Sequence, residues 1–430
     1  IIMLKNNLKK ISIVSLTLAT FLSVLTSCNE KTTNKNKLEL WTMQLKPTFN
    51  DYMNKVIADY KKENPEAEIE WVDLPSKEIE QKTLTSIAGG KSPDIVNLNP
   101  NFSSKLAEEG ALEDLEPIVK ENVKKTYLPN IWKSSSISNK TYGFPWYLST
   151  ALTIYNKELF TKAGFDKAPS TFEDIEKMGL AVKEKTGKYI FMPNFGDSGK
   201  FLEYMVQDGI ELLSEDKTKA VFATEKAEKF LNFWIDLSKK GIIPKDCITQ
   251  GHREAVDKFQ AGETAFLVSG PQFLNMIKQN APQLYDKVGI SSQLTGNSKK
   301  VGVGVMNLVI PKASKNKENA VKLAQFITND KNQLEFCKLV TILPSVSNSL
   351  SDPYFTKLSE KPTLEENARK TSSEQLKNAT VLLPSINKWS ELVKIFDLNF
   401  QQAFLGQQKP KEALQKAQDE WNKLLSEKKI

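Results

Sequence analysis

Between Leu38 and Leu98 the chain alternates strand and helix patterns at a spacing that only a helix-covered sheet accommodates. Leu38-Glu-Leu-Trp41 alternates apolar and polar residues and ends in Thr42-Met43-Gln44, as a strand does. From Pro47 to Glu63 the apolar residues Phe49, Met53, Val56, Ile57 and Tyr60 recur at helical spacing. Glu68 to Val72 is a second strand, Lys77 to Ala88 a second helix stopped by Gly89-Gly90, and Pro93 to Leu98 a buried third strand. Such βαβ units predict an α/β fold with a mostly parallel sheet flanked by helices. A ligand crevice lies beyond the carboxyl ends of strands of this kind. Trp41, Gln44, Asn99, Asn101 and Phe102 therefore belong to one rim, whereas Asp94, ahead of its strand, is structural.

A chain of 430 residues with 40% apolar content is too long for one ordinary core, so two lobes are expected. Tyr142-Gly-Phe-Pro145 reads as a turn, and the aromatic and β-branched run after it, up to Asn156, has strand composition. Such a strand can start one lobe where the other stops. Trp146 and Tyr147 stand at the join, beside Ser149 and Thr150. Apolar faces next to small hydrogen-bonding groups suit a carbohydrate cleft, because a buried hydroxyl without a partner costs about 1–3 kcal/mol.

Residues 3–10 carry Lys5, Lys9 and Lys10 with no acid, and 11–25 are apolar apart from Ser and Thr, the pattern of an export signal. Leu25-Thr-Ser-Cys28 resembles the bacterial lipobox, in which Cys28 takes the lipid and becomes the mature N-terminus. A signal peptide over 1–27 and a polar, disordered tether over 28–37 follow from this reading. The protein is then expected on the outer face of the cytoplasmic membrane. The formal charge of +7 comes almost wholly from lysine, with Arg253 and Arg369 the only arginines, which disfavours nucleic acid as a partner. The single histidine, His252, reads as a surface residue and has no companions for a metal site or catalytic triad, so neither a metal nor another cofactor is expected. Cys247 and Cys337 read as two separately buried thiols.

Four ordered segments resemble a known family. They are Gly90-Lys-Ser-Pro-Asp-Ile-Val-Asn-Leu98 with Leu106-Ala-Glu-Glu-Gly-Ala-Leu112, and Tyr142-Gly-Phe-Pro145 with Ile154-Tyr-Asn-Lys-Glu-Leu-Phe160, Ala163-Gly164 and Pro169-Ser-Thr-Phe172. Phe259-Gln-Ala-Gly-Glu-Thr-Ala265 with Ser269-Gly-Pro271, and Lys411-Glu-Ala-Leu414 with Trp421-Asn422, complete the series. Together they resemble the family 1 extracellular solute-binding proteins, the maltodextrin-binding-like receptors of ABC sugar importers. Gln272 departs from that family, where many relatives carry a stacking Trp, and Phe172 replaces its usual Trp.

The resemblance implies a two-lobed, class II periplasmic-binding-protein fold with three hinge crossings, near 148–150, near 303–305 and after Ser351. The implied lobes are 38–148 with 305–357 and 149–304 with 358–430. Gly302 and Gly304 stand where a hinge would absorb backbone rotation. The ligand would touch Trp41, Gln44, Asn99, Asn101, Phe102, Trp146, Tyr147 and Ser149, with Phe195, Asp197, Gln272 and Trp389 opposite. The implied protein is a monomer without catalytic residues that delivers its sugar to a membrane permease. An exported glycoside hydrolase, with two carboxylates flanking a cleft, is the reading from another class. Uptake of another polar solute is a further alternative, and an acidic one is disfavoured because no arginine lies on the expected rims.

Overall fold

A computed structural model describes residues 37–137, 140–386 and 388–427. The leader, Cys28 and nearly all of the tether lie outside the described residues. In chain order the main strands are β1 (Lys37–Met43), β2 (Glu68–Leu74), β3 (Ile95–Leu98), β4 (Phe144–Thr150) and β5 (Leu152–Asn156). They continue with β6 (Phe266–Ser269), β7 (Val288–Ser292), β8 (Val301–Val309), β9 (Leu343–Pro344) and β10 (Ala379–Thr380). Helices Asn50–Glu63 and Ser76–Ala88 fill the connections between the first three strands, where the apolar periodicity places them.

The strands form two sheets, and the fold is the two-lobed α/β class II arrangement. The larger sheet has the order β9-β4-β8-β3-β1-β2, with β10 alongside β8. The smaller has the order β6-β5-β7. Only Ala151 separates β4 in the first sheet from β5 in the second, and the chain returns between β7 and β8.

This route corrects the expectation of a mostly parallel sheet in each lobe. Parallel pairing holds where βαβ units build the sheet, between β1 and β2 and between β1 and β3. β4 carries the chain out and β8 brings it back, so they run antiparallel, as do β8 with β3 and β9 with β4. For the same reason β5, leaving the junction, is antiparallel to both β6 and β7, which lead back to it. Parallel contacts near the second sheet are isolated bridges, Thr171 with Thr295 and Tyr189 with Thr264.

The period of two in β1 distributes its apolar residues over both faces. Leu38 and Leu40 pack with Met53, Val56, Phe144 and Leu308. Trp41 points the other way, among Ile79, Val96, Phe102 and Leu106 under the helices Ser76–Ala88 and Pro100–Glu108. Asp94 fixes the entry to β3, accepting from the Glu39 N–H at 2.9 Å and from Ser314 Oγ at 2.6 Å. A third large cluster holds Phe195, Trp234, Phe400 and Trp421.

Residues 359–375 contain a docked helix, Leu364–Gln375. Thr363 and Glu366 cap it reciprocally, and Ala368, Ser372, Ser373 and Gln375 are buried. Cys247 and Cys337 are free thiols buried in separate clusters, as expected.

Trp146 is wholly buried, which removes it from the ligand-facing residues expected at the join. β4 turns this side chain toward helix Asp330–Cys337, where the indole stacks on Phe336 with centroids 5.0 Å apart and planes 12° from parallel. Trp146→Ala should therefore lower stability by about 3–5 kcal/mol. Denaturant unfolding checks this, and the ligand affinity of the folded fraction should stay unchanged.

Candidate functional site

Where the two sheets meet, a cavity of about 380 Å³ opens on the solvent-facing edges of β4 and β8. Its wall includes Asn101, Ser149, Gln272, Gln293 and the pair Lys200 and Glu203. Asn99 and Asn101 also line an adjoining groove of about 600 Å³, with Phe102 and Trp389 on its sides. A larger hollow of about 820 Å³ beside Phe404 to Pro410 contains no strand-end residue. The cavity at the sheet junction is the one that lies beyond the carboxyl end of β3, where an open α/β sheet places its ligand.

Each wall has a local cause. Asn99 follows β3 and caps helix Pro100–Glu108, its Oδ1 accepting from the Phe102 N–H at 2.9 Å. Its amide nitrogen donates to Glu80 Oε1 at 3.1 Å, so both ends of the side chain are committed and Asn99 shapes the wall. Asn101, in the first turn of that helix, is exposed. Ser149 is also exposed, because alternation along β4 turns it away from the buried Leu148 and Thr150. Opposite it, an added Cβ on Gly304 would come within 2.8 Å of Ser149 Oγ, and one on Gly302 within 2.9 Å of Leu382. Neither glycine has a positive φ, so their part here is close approach, in place of the backbone freedom expected of a hinge.

Lys200 and Glu203, which the sequence did not single out, come from helix Lys200–Gln207. Gly199 precedes it at φ 75°, a left-handed conformation that favours glycine. Asp397 holds that turn, accepting from Gly199 N at 3.2 Å and from Ser198 Oγ at 3.1 Å. Lys200 Nζ lies 2.7 Å from Glu203 Oε2. Burial opposes the lysine's charge, but attraction to Glu203, Tyr204 and Asp197 outweighs it and leaves the pKa above the ordinary value. Among the described residues the cavity thus carries one ion pair beside amides, hydroxyls and aliphatic side chains such as Val305 and Leu382, with no aromatic ring on its wall.

Of the twelve residues expected at the ligand, Asn99, Asn101, Phe102, Ser149, Gln272 and Trp389 line the cavity or its groove. Trp389 starts helix Trp389–Phe404 and meets Trp421 edge-on at 5.6 Å, so it lines the groove and packs between helices at once. The other six lie elsewhere. Trp41 is buried, its N–H given to Glu39 at 2.6 Å, and Trp146 is core. Phe195 is buried among Phe201, Tyr204, Trp234 and Phe400.

Asp197 is engaged by its own loop, accepting from Asn194 Nδ2 at 2.5 Å and from the His252 backbone N–H at 3.0 Å. Tyr147 is partly buried against Trp146 and Phe336, and burial, then the Asp73 carboxylate, push its phenol pKa up. Gln44, exposed after β1, lines neither hollow.

Two lobes joined at a cavity that mixes polar and aliphatic side chains define a binding protein of the periplasmic class. The chain belongs to the bacterial extracellular solute-binding protein family, which residues 46–334 match. A crystal structure of a candidate oligosaccharide periplasmic-binding protein from Synechococcus sp. MITs9220 is 35% identical, with a TM-score of 0.81 over 90% of this chain and 99% of that one. The galactooligosaccharide-binding protein of Bacillus subtilis is 26% identical over 95% of this chain and 96% of its own length. The sugar-binding protein MalE from Xanthomonas citri, 23% identical with a TM-score of 0.76, shares the fold over 91% of this chain and 97% of its own. No helix among the described residues is long and apolar enough to cross a membrane.

His252, expected at the surface, is half-buried, with Nε2 2.9 Å from Ser269 Oγ. Burial lowers its pKa from 6.5; Asp197 opposes this and Lys200 adds to it. The unfolded chain therefore takes up this proton first. The contribution is complete above pH 6.5 and is lost as the pH falls toward the folded value. Between about pH 7 and about pH 5, the melting temperature of the native protein should fall more than that of His252→Gln.

Proposed function

We propose that this protein captures a carbohydrate, an oligosaccharide of a few units, between its lobes and delivers it to the permease subunits of an ABC importer. The observation that carries this reading is the wall itself. Asn101, Ser149 and Gln272 present neutral donors and acceptors to one space, which is what a hydroxyl-rich, uncharged ligand requires when it leaves water. The cavity and its groove, about 380 and 600 Å³, fall within the roughly 300–1,000 Å³ of small-molecule sites, and their shared asparagines make room for more than one sugar ring. The names of relatives point the same way: one from Bacillus subtilis binds galactooligosaccharide and another arabinooligosaccharide.

The lobes in this reading are 38–148 with 305–357 and 149–304 with 358–430, and the protein works as a monomer. Lipid on Cys28 holds it at the outer face of the cytoplasmic membrane. Glycoside hydrolysis would need a second carboxylate beside the bond. Among the described residues the cavity wall carries one, Glu203, paired with Lys200, and the groove adds Glu80, which accepts from the Asn99 amide, and Glu391.

A thermal-shift screen with maltotriose, arabinotriose and galactooligosaccharides tests the ligand class. A true ligand at 100 times its dissociation constant should add about 2.7 kcal/mol of stability, and no reducing ends should appear on incubation. Gln272→Ala should weaken that binding by about 1–2 kcal/mol without changing the melting temperature of the free protein. Failure of every sugar in the screen would overturn the carbohydrate reading. Cys28→Ala, followed by cell fractionation, should abolish membrane retention or leave the leader uncleaved.

A further inference from the structure

We infer that Gln375 is a positioning residue that ties the shape of the cavity to the angle between the lobes. Its amide nitrogen donates to Thr150 Oγ1 and to the Ala151 carbonyl, both at 2.8 Å. Its amide oxygen accepts from the Gln293 N–H at 3.1 Å. Gln293 passes the connection on, its Oε1 accepting from the Gly302 N–H at 2.9 Å. One side chain at the end of helix Leu364–Gln375 thereby holds the outgoing passage at 150–151 and, through Gln293, the returning passage at 293–302.

Burial gives these bonds their leverage. Thr150 is 4% exposed, Gln375 7% and Gln293 8%, so water offers little substitute for a lost partner. Thr150 and Gln293 line the cavity and Gln375 does not, so Gln375 acts through them. The segment after it is fixed to the first-sheet side, because Asn130 Nδ2 donates to the carbonyls of Ala379 at 2.7 Å and Leu376 at 3.3 Å. The helix before it packs on β7 of the second sheet. A rotation of one lobe against the other must then turn or break the bonds of this single amide. A ligand touching Thr150 or Gln293 presses on the same atoms. Only an amide satisfies the position, since it needs N–H groups toward Thr150 and Ala151 and an oxygen toward Gln293.

The inference rests on the reading of a ligand held between closing lobes. It is tested in the full chain bearing Lys61→Cys and Lys411→Cys, two exposed positions for spin labels, together with Cys28→Ala, while the buried Cys247 and Cys337 escape labelling. Distances between the labels are measured in this parent and in Gln375→Met and Gln375→Glu, without ligand and with maltotriose or a galactooligosaccharide. The parent should give one narrow distance, and both variants a distribution about twice as broad with an unchanged circular dichroism spectrum. Sugar binding in the variants should be roughly tenfold weaker.

A folded variant that keeps the parent's distance distribution overturns the inference, even if its melting temperature drops, because a merely structural amide would lower stability alone. If Gln375→Met does not fold, Thr150→Val removes one acceptor without changing shape and decides by the same comparison. If the parent binds no sugar, the carbohydrate reading fails, while the ligand-free distances still decide the role of Gln375.

Discussion

The antiparallel pairing of β4 with β8 is the constraint on which the rest of the molecule depends. It runs from Val303 opposite Thr150 to Leu308 opposite Phe144, joining the strand that leaves the first sheet to the strand that re-enters it. At one end the pair is extended by β3 and the parallel strands beyond it. At the other it lies against β10 and the buried amides of Gln293 and Gln375. The cavity sits on its exposed edge, between Ser149 and Gly304. Cavity wall and the connection between the two sheets are therefore made of the same few residues.

Both lobes mix aliphatic and aromatic side chains in their cores. The first includes a stack of Trp146, Phe336 and Tyr52. The second includes Phe195, Tyr204, Trp234 and Phe400, which meet mostly edge to face. Many lysines of this chain form ion pairs at exposed positions, such as Lys229 with Glu225 and Lys322 with Glu318, which contribute little individually. Lys200 with Glu203 differs in being drawn into the cavity wall, where it fixes local charge at zero.

The strand and helix order up to Leu98 was legible because each segment buries one face and repeats at its own period. The family was legible for another reason: turn residues such as Tyr142 to Pro145 and Ser269 to Pro271 keep their order and spacing. Orientation was harder to read. Nothing in the local pattern tells whether Trp146 or Tyr147 is the more deeply buried, since both neighbours in a strand are aromatic, and both meet Phe336 some 190 residues later. Phe195 and Asp197 lie in a loop whose side chains are claimed by distant partners, Trp234 and His252. Lys200 and Glu203 were invisible as a cleft pair because a lysine and a glutamate three apart look like any solvated helix face. The antiparallel second sheet could not be read from βαβ spacing, since its direction is set by where the chain leaves the first sheet at 151 and returns to it after 292.

Trp421, in the last helix, is wholly buried and donates its N–H to the Leu392 carbonyl at 2.6 Å while its ring meets Phe222 edge-on. The second core is thus incomplete until the final helix, Pro410–Ser426, has been made, and the first sheet likewise waits for strands beyond residue 300. A topology that interleaves both lobes thereby makes each core depend on segments far apart in the chain.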